Sequence, residues 1–422
     1  MDTLHLLQRL ETNAGIVVAV VALRWLLTVP HWLPFVGNAL PFGRDPNAFV
    51  RSCQRRCGPF FRTLIGGKRM VFVVRKSHFA ALLKAPELSF QTVADEISLT
   101  FLLNGADGVA PLVASSIAQL VPAMDRMPLN TPLPLFSTLA RLAFGSTVAS
   151  LAFDASFPLL VAGVPSLFVR KAIAARARLN EHLGMHMYAA ALIQERNDMF
   201  RAFAASSKVP MTAMGGDQLG ILWASVANSI PSLFWLVYYL LKDRDAWAAI
   251  RTEIDTHLPL DPNEWTRNNL GNCALLDSAI DESLSLAATS MLMRDVTKDC
   301  AVTVDASTTL RFRKGDKVVM YPSLSHYDEK VFEYPDKFRV DRFLNAGAAQ
   351  RSAFMPFDRG KSMCPGRIWA KAQLKTAVAL LIRRVPNTRL VDPTVPVGFD
   401  LSRLGLGVYP PDSDRVQFVF IT

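Results

Sequence analysis

A single cysteine stands in a glycine-rich loop directly before an apolar helical pattern, late in the 422-residue chain. The loop begins at Phe357 and reads Phe-Asp-Arg-Gly-Lys-Ser-Met-Cys-Pro-Gly-Arg. Glycines let the backbone approach a ligand closely, and the N-terminus of a helix stabilises a thiolate. The spacing of Phe357, Gly360, Cys364 and Gly366 therefore favours a metal-ligating thiolate at Cys364 over a buried structural cysteine.

The composition is that of a folded protein with a large core. Hydrophobic residues make up 50% of the chain and charged residues 19%, which excludes a disordered or collagen-like chain. Five scattered cysteines argue against a secreted disulfide scaffold. The net charge of +10 suits an acidic protein partner or an anionic membrane surface. Nucleic acid is not expected as a partner, because aromatic-flanked basic clusters and zinc-finger spacings are absent.

An apolar run over residues 15–30 is interrupted by Arg24 and falls short of the ~20 residues of a full membrane span. A cleaved signal peptide, a buried or interfacial helix, and a short single-pass or monotopic anchor are all compatible with it. The prolines that follow indicate a stiff, non-helical connector, which favours the anchor. We therefore expect a membrane anchor over residues 1–29, a proline-rich hinge over residues 30–46, and a catalytic domain over residues 47–422.

Hydrophobic patterns predict a mostly helical α+β fold with small sheets. The segments that carry these patterns are a hairpin over residues 60–74, helices over residues 220–241, 243–257 and 268–288, and a strand pair over residues 303–319 around Arg313-Lys-Gly315. The first of these helices is apolar and long enough to span a bilayer. Its polar positions beside Pro231 favour a buried central helix that lines a site.

The cysteine loop resembles the haem-binding loop of the cytochrome P-450 superfamily, in which a cysteine thiolate is the proximal ligand of haem iron. Other pieces follow in the family's order. The segment from Pro34 resembles the hinge, the segment from Asp281 resembles the E-x-x-R helix, and the segment from Pro335 resembles the meander before the haem loop. The resemblance implies the cytochrome P-450 fold, behind an N-terminal anchor helix.

The resemblance also assigns cofactor residues. It implies a haem b cofactor with Cys364 as the axial ligand of the iron and with Phe357 packed beside the sulfur. The loop glycines, Gly360 and Gly366, would shape the haem site, and Arg294 would bind a haem propionate. Asp358 stands where the family usually has glycine.

The central helix resembles one branch of the family. Ala227 and Asn228 stand where the family usually has its acid–alcohol pair, as in sterol and bile-acid hydroxylases and prostacyclin synthase, and Ser229 follows them as a further candidate catalytic residue. Asn228 can form hydrogen bonds but cannot act as an acid at neutral pH. Proton delivery would then fall to water, to a serine or to the substrate. The resemblance implies hydroxylation of a lipophilic, possibly sterol-like or terpenoid substrate, whereas a haem-dependent isomerase or dehydratase of an oxygenated lipid is an alternative that needs no external electrons.

Ser285 replaces the arginine of E-x-x-R, three residues after Glu282. In the family that arginine pairs with the glutamate and with the meander arginine, which is Arg342 here. The two remaining members could pair directly. A degenerate, non-catalytic relative that binds no haem is therefore a third alternative.

The resemblance further implies partners and a location. Electrons would come from NADPH through a reductase whose acidic flavodoxin domain docks on the basic protein. The protein would be held in the endoplasmic reticulum membrane by a single-pass anchor, with the catalytic domain in the cytoplasm.

Overall fold

The computed structural model describes residues 36–94, 167–177, 227–289, 291–401, 407–412 and 416–419, with isolated positions between 96 and 224. The chain divides into two compact units, one of residues 1–90 with 291–325 and one of residues 91–290 with 326–422. The predicted anchor over residues 1–29 lies outside the described residues. Among the residues that are described, no helix has the length and apolar character needed to cross a bilayer.

The first unit contains helices, a hairpin and a mixed sheet. Its elements are α1 (Ala39–Arg44), α2 (Pro46–Cys57), β1 (Phe60–Ile65), β2 (Lys68–Val73), a 3₁₀ turn (Lys76–His78), α3 (Phe79–Lys84), β3 (Leu88–Ser89), β4 (Leu292–Val296), β5 (Cys300–Asp305), β6 (Thr308–Phe312) and β7 (Lys317–Met320). The five-stranded sheet has the order β1-β2-β7-β4-β3.

The hinge over residues 30–46 was expected to be non-helical. Helix α1 (Ala39–Arg44) lies within it and corrects this expectation. Pro41 fits in the first turn of α1, where a backbone N–H has no partner within the helix. The ring of Phe42 lies 5.7 Å from the rings of both Phe49 and Phe72. These edge-on contacts fasten α1 to α2 and to β2.

The hairpin of β1 and β2 is confirmed. Ile65 pairs with Lys68 across the turn, and Gly66 and Gly67 have φ of +56° and +75°, the backbone that a two-residue hairpin turn requires. The predicted strand pair around Gly315 is wrong. Strand β5 pairs with β6, while β7 runs parallel to β2 and antiparallel to β4, because β7 is buried along its whole length and belongs at the centre of a sheet.

The second unit is mainly helical. Its elements are α4 (Ser229–Lys242), α5 (Arg244–His257), a 3₁₀ turn (Pro262–Glu264), α6 (Arg267–Gly271), α7 (Ala274–Ala287), α8 (Ser323–His326, at the boundary), α9 (Ala348–Ala353), a 3₁₀ turn (Gly360–Ser362), α10 (Arg367–Arg384), β8 (Arg389–Leu390) and β9 (Phe418–Val419). Helix α4 packs against α5, α7 and α10. The core between these helices includes Trp235, Leu276, Ile280 and Val378.

The predicted helix over residues 268–288 is two helices, α6 and α7. Cys273 precedes α7 and gives it no side-chain cap. The cap comes instead from Glu253 on α5, whose carboxylate oxygens accept the N–H groups of Leu275 at 2.7 Å and Leu276 at 2.9 Å. A carboxylate at a helix N-terminus also interacts favourably with the helix dipole. The break in the helix is therefore stabilised by a residue from a neighbouring helix.

Candidate functional site

The cysteine loop closes on itself immediately before α10. The Cys364 N–H donates to the Phe357 carbonyl at 2.8 Å, and the Met363 N–H donates to the Gly360 carbonyl at 3.2 Å. Asp358 and Gly360 have φ of +63° and +73°, in the left-handed region that favours glycine. Asp358 thus adopts the conformation of the glycine that usually stands there.

The surroundings of Cys364 fit a thiolate ligand. Burial raises the pKa of the Cys364 thiol, while the backbone N–H groups of Gly366 and Arg367 and the charge of Arg367 lower it. Burial is the larger effect, so the pKa of the thiol is raised overall, and these donors and this charge offset part of the cost of an anionic sulfur. Among the described residues, no cluster of three or more histidine, cysteine or acidic side chains could hold a metal by itself. Cys364 is therefore a lone sulfur donor in this loop, and its role as the ligand of a haem iron stays a prediction.

Glu282 on α7 and Arg342 of the meander pair directly, as the sequence allowed. Arg342 Nε lies 2.8 Å from Glu282 Oε1 and 2.7 Å from Oε2, and the two side chains are 4% and 1% exposed. Arg342 also donates to the carbonyls of Glu333, Tyr334 and Lys337 at 2.6–2.9 Å. Burial raises the pKa of Glu282 to about 7, against the opposing effect of Arg342. The pair ties α7 to three carbonyls of the meander.

Ser285 lies buried one helical turn after Glu282. The ring of His326 lies near the backbone of Ser285. Its Nε2 accepts the Met355 N–H at 3.1 Å, and its ring centre is 5.7 Å from that of Phe354. Burial lowers the pKa of His326 to about 4, so the ring is neutral and can accept this bond. His326 thus holds the segment of chain that leads into the cysteine loop.

Sequence reasoning missed a set of ion pairs between α7 and α10. Lys371 Nζ lies 2.9 Å from Asp281 Oδ1 and 3.4 Å from Asp277 Oδ1. Lys375 Nζ lies 2.8 Å from Asp277 Oδ2 and 2.7 Å from the Leu270 carbonyl. Part of this arrangement was visible in the sequence. Asp277 and Asp281 are four residues apart and share one face of α7, and Lys371 and Lys375 are four residues apart and share one face of α10. The pairing of the two faces was not visible in the sequence.

The predicted catalytic positions lie at the start of α4. Ala227 is buried, and the Asn228 Oδ1 accepts the Val408 N–H at 3.2 Å. Ser229 Oγ lies 3.5 Å from Gln373 Oε1 on α10. The structure therefore brings Asn228 to the C-terminal segment and Ser229 to the helix that follows the cysteine loop, and their part in catalysis stays a prediction.

The C-terminal segment approaches Asn228 closely at Gly407. A β carbon at position 407 would overlap the Asn228 side chain, and the φ of Gly407 is +136°. The same segment bonds to the end of α7, since the Thr289 N–H donates to the Gly407 carbonyl at 2.6 Å and the Tyr409 N–H donates to the Ala287 carbonyl at 3.1 Å. The sequence alone did not place this segment beside Asn228.

Arg294, the predicted propionate partner, lies on β4 in the first unit. It is buried, its Nη1 donates to the Met293 carbonyl at 2.7 Å, and its guanidinium lies 5.1 Å from the centre of the Phe90 ring. Its role toward a haem propionate stays a prediction.

Comparison with known proteins agrees with the site. A family model described as "Cytochrome P450" matches residues 168–386. "Cytochrome P450 7B1" of Mus musculus is 28% identical over 91% of this chain and 88% of its own length. The 25-hydroxycholesterol 7-alpha-hydroxylase of Rattus norvegicus is 34% identical over 63% of this chain and 68% of its own length. Prostacyclin synthase of Bos taurus is 31% identical over 46% of this chain and 42% of its own length. These relatives confirm the branch that the sequence resembles.

Proposed function

This chain belongs to the cytochrome P450 family, and from that premise we propose that it hydroxylates a sterol with O₂ and with electrons from an NADPH-dependent reductase. The observation that carries the proposal is the closed Cys364 loop, in which the Cys364 N–H donates to the Phe357 carbonyl at 2.8 Å immediately before α10. The relatives support the substrate class, since several are named as hydroxylases or monooxygenases of cholesterol or its derivatives.

Each part of the site has a task in this proposal. A haem held by Cys364 would supply oxygen activation, which thiolate donation favours. The Phe357 carbonyl holds the Cys364 N–H and so fixes the loop. The Glu282–Arg342 pair fixes the meander. The partly exposed arginines of the loop, Arg359 and Arg367, give positive charge to a surface that an acidic reductase domain would meet.

In this proposal Asn228 orients water or substrate and does not itself supply a proton. Its amide cannot release a proton at neutral pH, and its oxygen accepts the Val408 N–H, so its NH₂ group is left as the donor toward water or substrate. Ser229 has a hydroxyl that both donates and accepts. We therefore assign proton delivery to water held by these two side chains. Asn228→Asp, which restores an acid of the same size, tests this assignment through the number of electrons consumed per hydroxylated product.

The decisive test is the spectrum of the reduced, carbon-monoxide-bound protein after expression with haem supplementation. Wild type should show the red-shifted Soret band of a haem thiolate, and Cys364→Ser should lose it. Cys273→Ser is the matched control, because Cys273 is a buried cysteine outside the loop, and it should keep the band. A wild-type protein without haem would instead support the degenerate, non-catalytic alternative.

Turnover separates hydroxylation from isomerisation. Cholesterol, 25-hydroxycholesterol and 7α-hydroxycholest-4-en-3-one are the first substrates to supply, with a reductase and NADPH. Product that contains one added oxygen atom and requires NADPH supports the monooxygenase. The isomerase alternative is favoured by the acid-free position of Asn228 and by the relative named prostacyclin synthase. Conversion of an oxygenated lipid that continues without reductase and NADPH would establish it.

The proposed location is the endoplasmic reticulum membrane, with residues 1–29 as a single-pass anchor and residues 47–422 in the cytoplasm. The support is the apolar run that precedes the proline-rich hinge. Fractionation of the full chain and of a variant without residues 1–29 tests it, because only the full chain should stay with membranes after a salt wash. A full chain found in the soluble fraction would contradict the anchor.

A further inference from the structure

Nearly all of the chain's net charge lies in one short stretch of the first unit. Between Val36 and Pro86 the sequence has ten lysines and arginines and one acidic residue, Asp45, for a net charge of 10 − 1 = +9. The whole chain has a net charge of +10. Asp45 is engaged as the N-cap of α2, where its Oδ1 accepts the Ala48 N–H at 2.8 Å. The stretch therefore has almost no internal compensation for its positive charge.

The outward sides of α1 and α2 carry this charge. In α1 the buried residue is Phe42, and the residues two positions before and after it, Leu40 and Arg44, are exposed. In α2 the buried side consists of Pro46, Val50 and Cys53. Its outward and flanking positions include three arginines. We call the exposed set of Leu40, Arg44, Arg51, Arg55 and Arg56 the basic face.

The basic face differs from an ordinary solvated helix surface in two respects. Within the described residues, Arg44, Arg55 and Arg56 have no carboxylate within ion-pair distance, whereas Arg69 of the same stretch lies 2.9 Å from Asp316. Leu40 is also 70% exposed on the same short helix as Arg44, close to the exposed Val36. Exposed apolar side chains beside arginines form the pattern of a surface that meets a bilayer interface.

We propose that the basic face binds the headgroups of anionic lipids, with Leu40 inserted at the interface. The position of the face in the chain favours a membrane over an acidic protein, because the apolar run of residues 15–30 ends only six residues before Val36. The inference rests on the proposed membrane attachment and adds a second, lipid-selective contact to it. The attachment would hold the protein at any bilayer, whereas the basic face would select an anionic one.

The test is the partition of the purified, haem-loaded full chain into vesicles of phosphatidylcholine, with and without phosphatidylserine. Each arginine near an anionic surface contributes about a fivefold gain in partition, on the scale of basic residues at such membranes. Replacement of Arg44, Arg55 and Arg56 together by glutamine should therefore lower the preference for phosphatidylserine vesicles on the order of 100-fold. Partition into pure phosphatidylcholine should be unchanged, because residues 1–29 are intact.

Two control variants test whether positive charge at these three positions is the cause of the preference for phosphatidylserine vesicles. Lysine at the same three positions keeps the charge and should keep the preference. Glutamine at Arg244, Arg384 and Arg389, three exposed arginines outside the stretch, should also keep it. The reduced, carbon-monoxide-bound spectrum confirms that each variant is folded. Added salt should weaken the wild-type preference, because it screens exposed charges.

Several outcomes would overturn the inference. Equal partition of wild type into both vesicles would refute the basic face while leaving the attachment intact, and failure to bind either vesicle would refute both. A glutamine variant that keeps its lipid preference but loses affinity for an acidic reductase would assign the face to that protein instead. Sterol turnover in detergent reports on the proposed activity separately, and the glutamine variant should retain it with a chemical electron donor.

Discussion

Arg342→Lys should unfold the meander more easily even though it keeps the positive charge opposite Glu282. The guanidinium bonds the carboxylate through Nε and three carbonyls, those of Glu333, Tyr334 and Lys337, through its two terminal nitrogens. A lysine ammonium is a point charge that cannot span this arrangement. If the ammonium of this variant keeps the carboxylate and one carbonyl, two charge-assisted bonds are lost at about 1.5 kcal/mol each, a total of about 3 kcal/mol.

The assay is denaturant unfolding of the haem-loaded protein, followed by far-ultraviolet circular dichroism and by loss of the Soret band. Arg339→Lys is the matched control, because Arg339 is a meander arginine that is 44% exposed and meets Glu333 and Asp341 at 3.3 Å and 3.7 Å. Exposed pairs of this kind contribute about 0–1 kcal/mol. The reasoning would be refuted if the two lysine variants had equal stabilities, since the three carbonyl bonds distinguish Arg342 from its neighbour.

The remaining predictions concern three other positions. Ser285→Arg should lower the melting temperature by an amount that corresponds to about 1–3 kcal/mol, because Ser285 is buried and a longer side chain would overpack its site. A higher melting temperature would show instead that the arginine restores the family's network. Gly407→Ala should displace Asn228 and lower both stability and haem retention, whereas Gly43→Ala, which lies in helix α1 and meets no atom within 4 Å, should lower neither. The contribution of His326 to stability should fall by about 3 kcal/mol between pH 6.5 and pH 4, because the unfolded chain protonates His326 near pH 6.5 while burial lowers the folded pKa to about 4. The raised pKa of Glu282 acts in the opposite sense in this range, so the measurement is the difference in acid dependence between wild type and His326→Gln, and equal pH dependence of the two proteins would contradict the prediction.

Local signals account for the features that the sequence predicts correctly. The hairpin follows from two glycines between alternating apolar residues, and the closed loop follows from glycines at fixed distances from Cys364. The direct pairing of Glu282 and Arg342 was predictable only through the family resemblance, since 60 positions separate the two residues. Each of these features is specified by a motif whose members recur at known spacing.

Features that depend on contacts between distant segments were not predictable. The strand pair over residues 303–319 was placed at the wrong turn because Gly315, with φ of +83°, is a turn residue between strands that do not pair with each other. The break before α7 was missed because its cap comes from Glu253 on another helix. A single sequence shows neither which strand a buried segment joins nor which side chain reaches a helix end.

Helix α7 explains how the chain accommodates the loss of the family's arginine. Polar contacts hold the helix along its length: Glu253 caps its start, Ser278 Oγ accepts the Phe343 N–H at 2.9 Å, and the Tyr327 hydroxyl donates to the Leu286 carbonyl near its end. Lysines of α10 meet the acids of its first turns. Because the helix is already held at these points, the absence of an arginine at position 285 does not release it. The helix therefore keeps Glu282 in place to pair with Arg342, and the meander keeps its support.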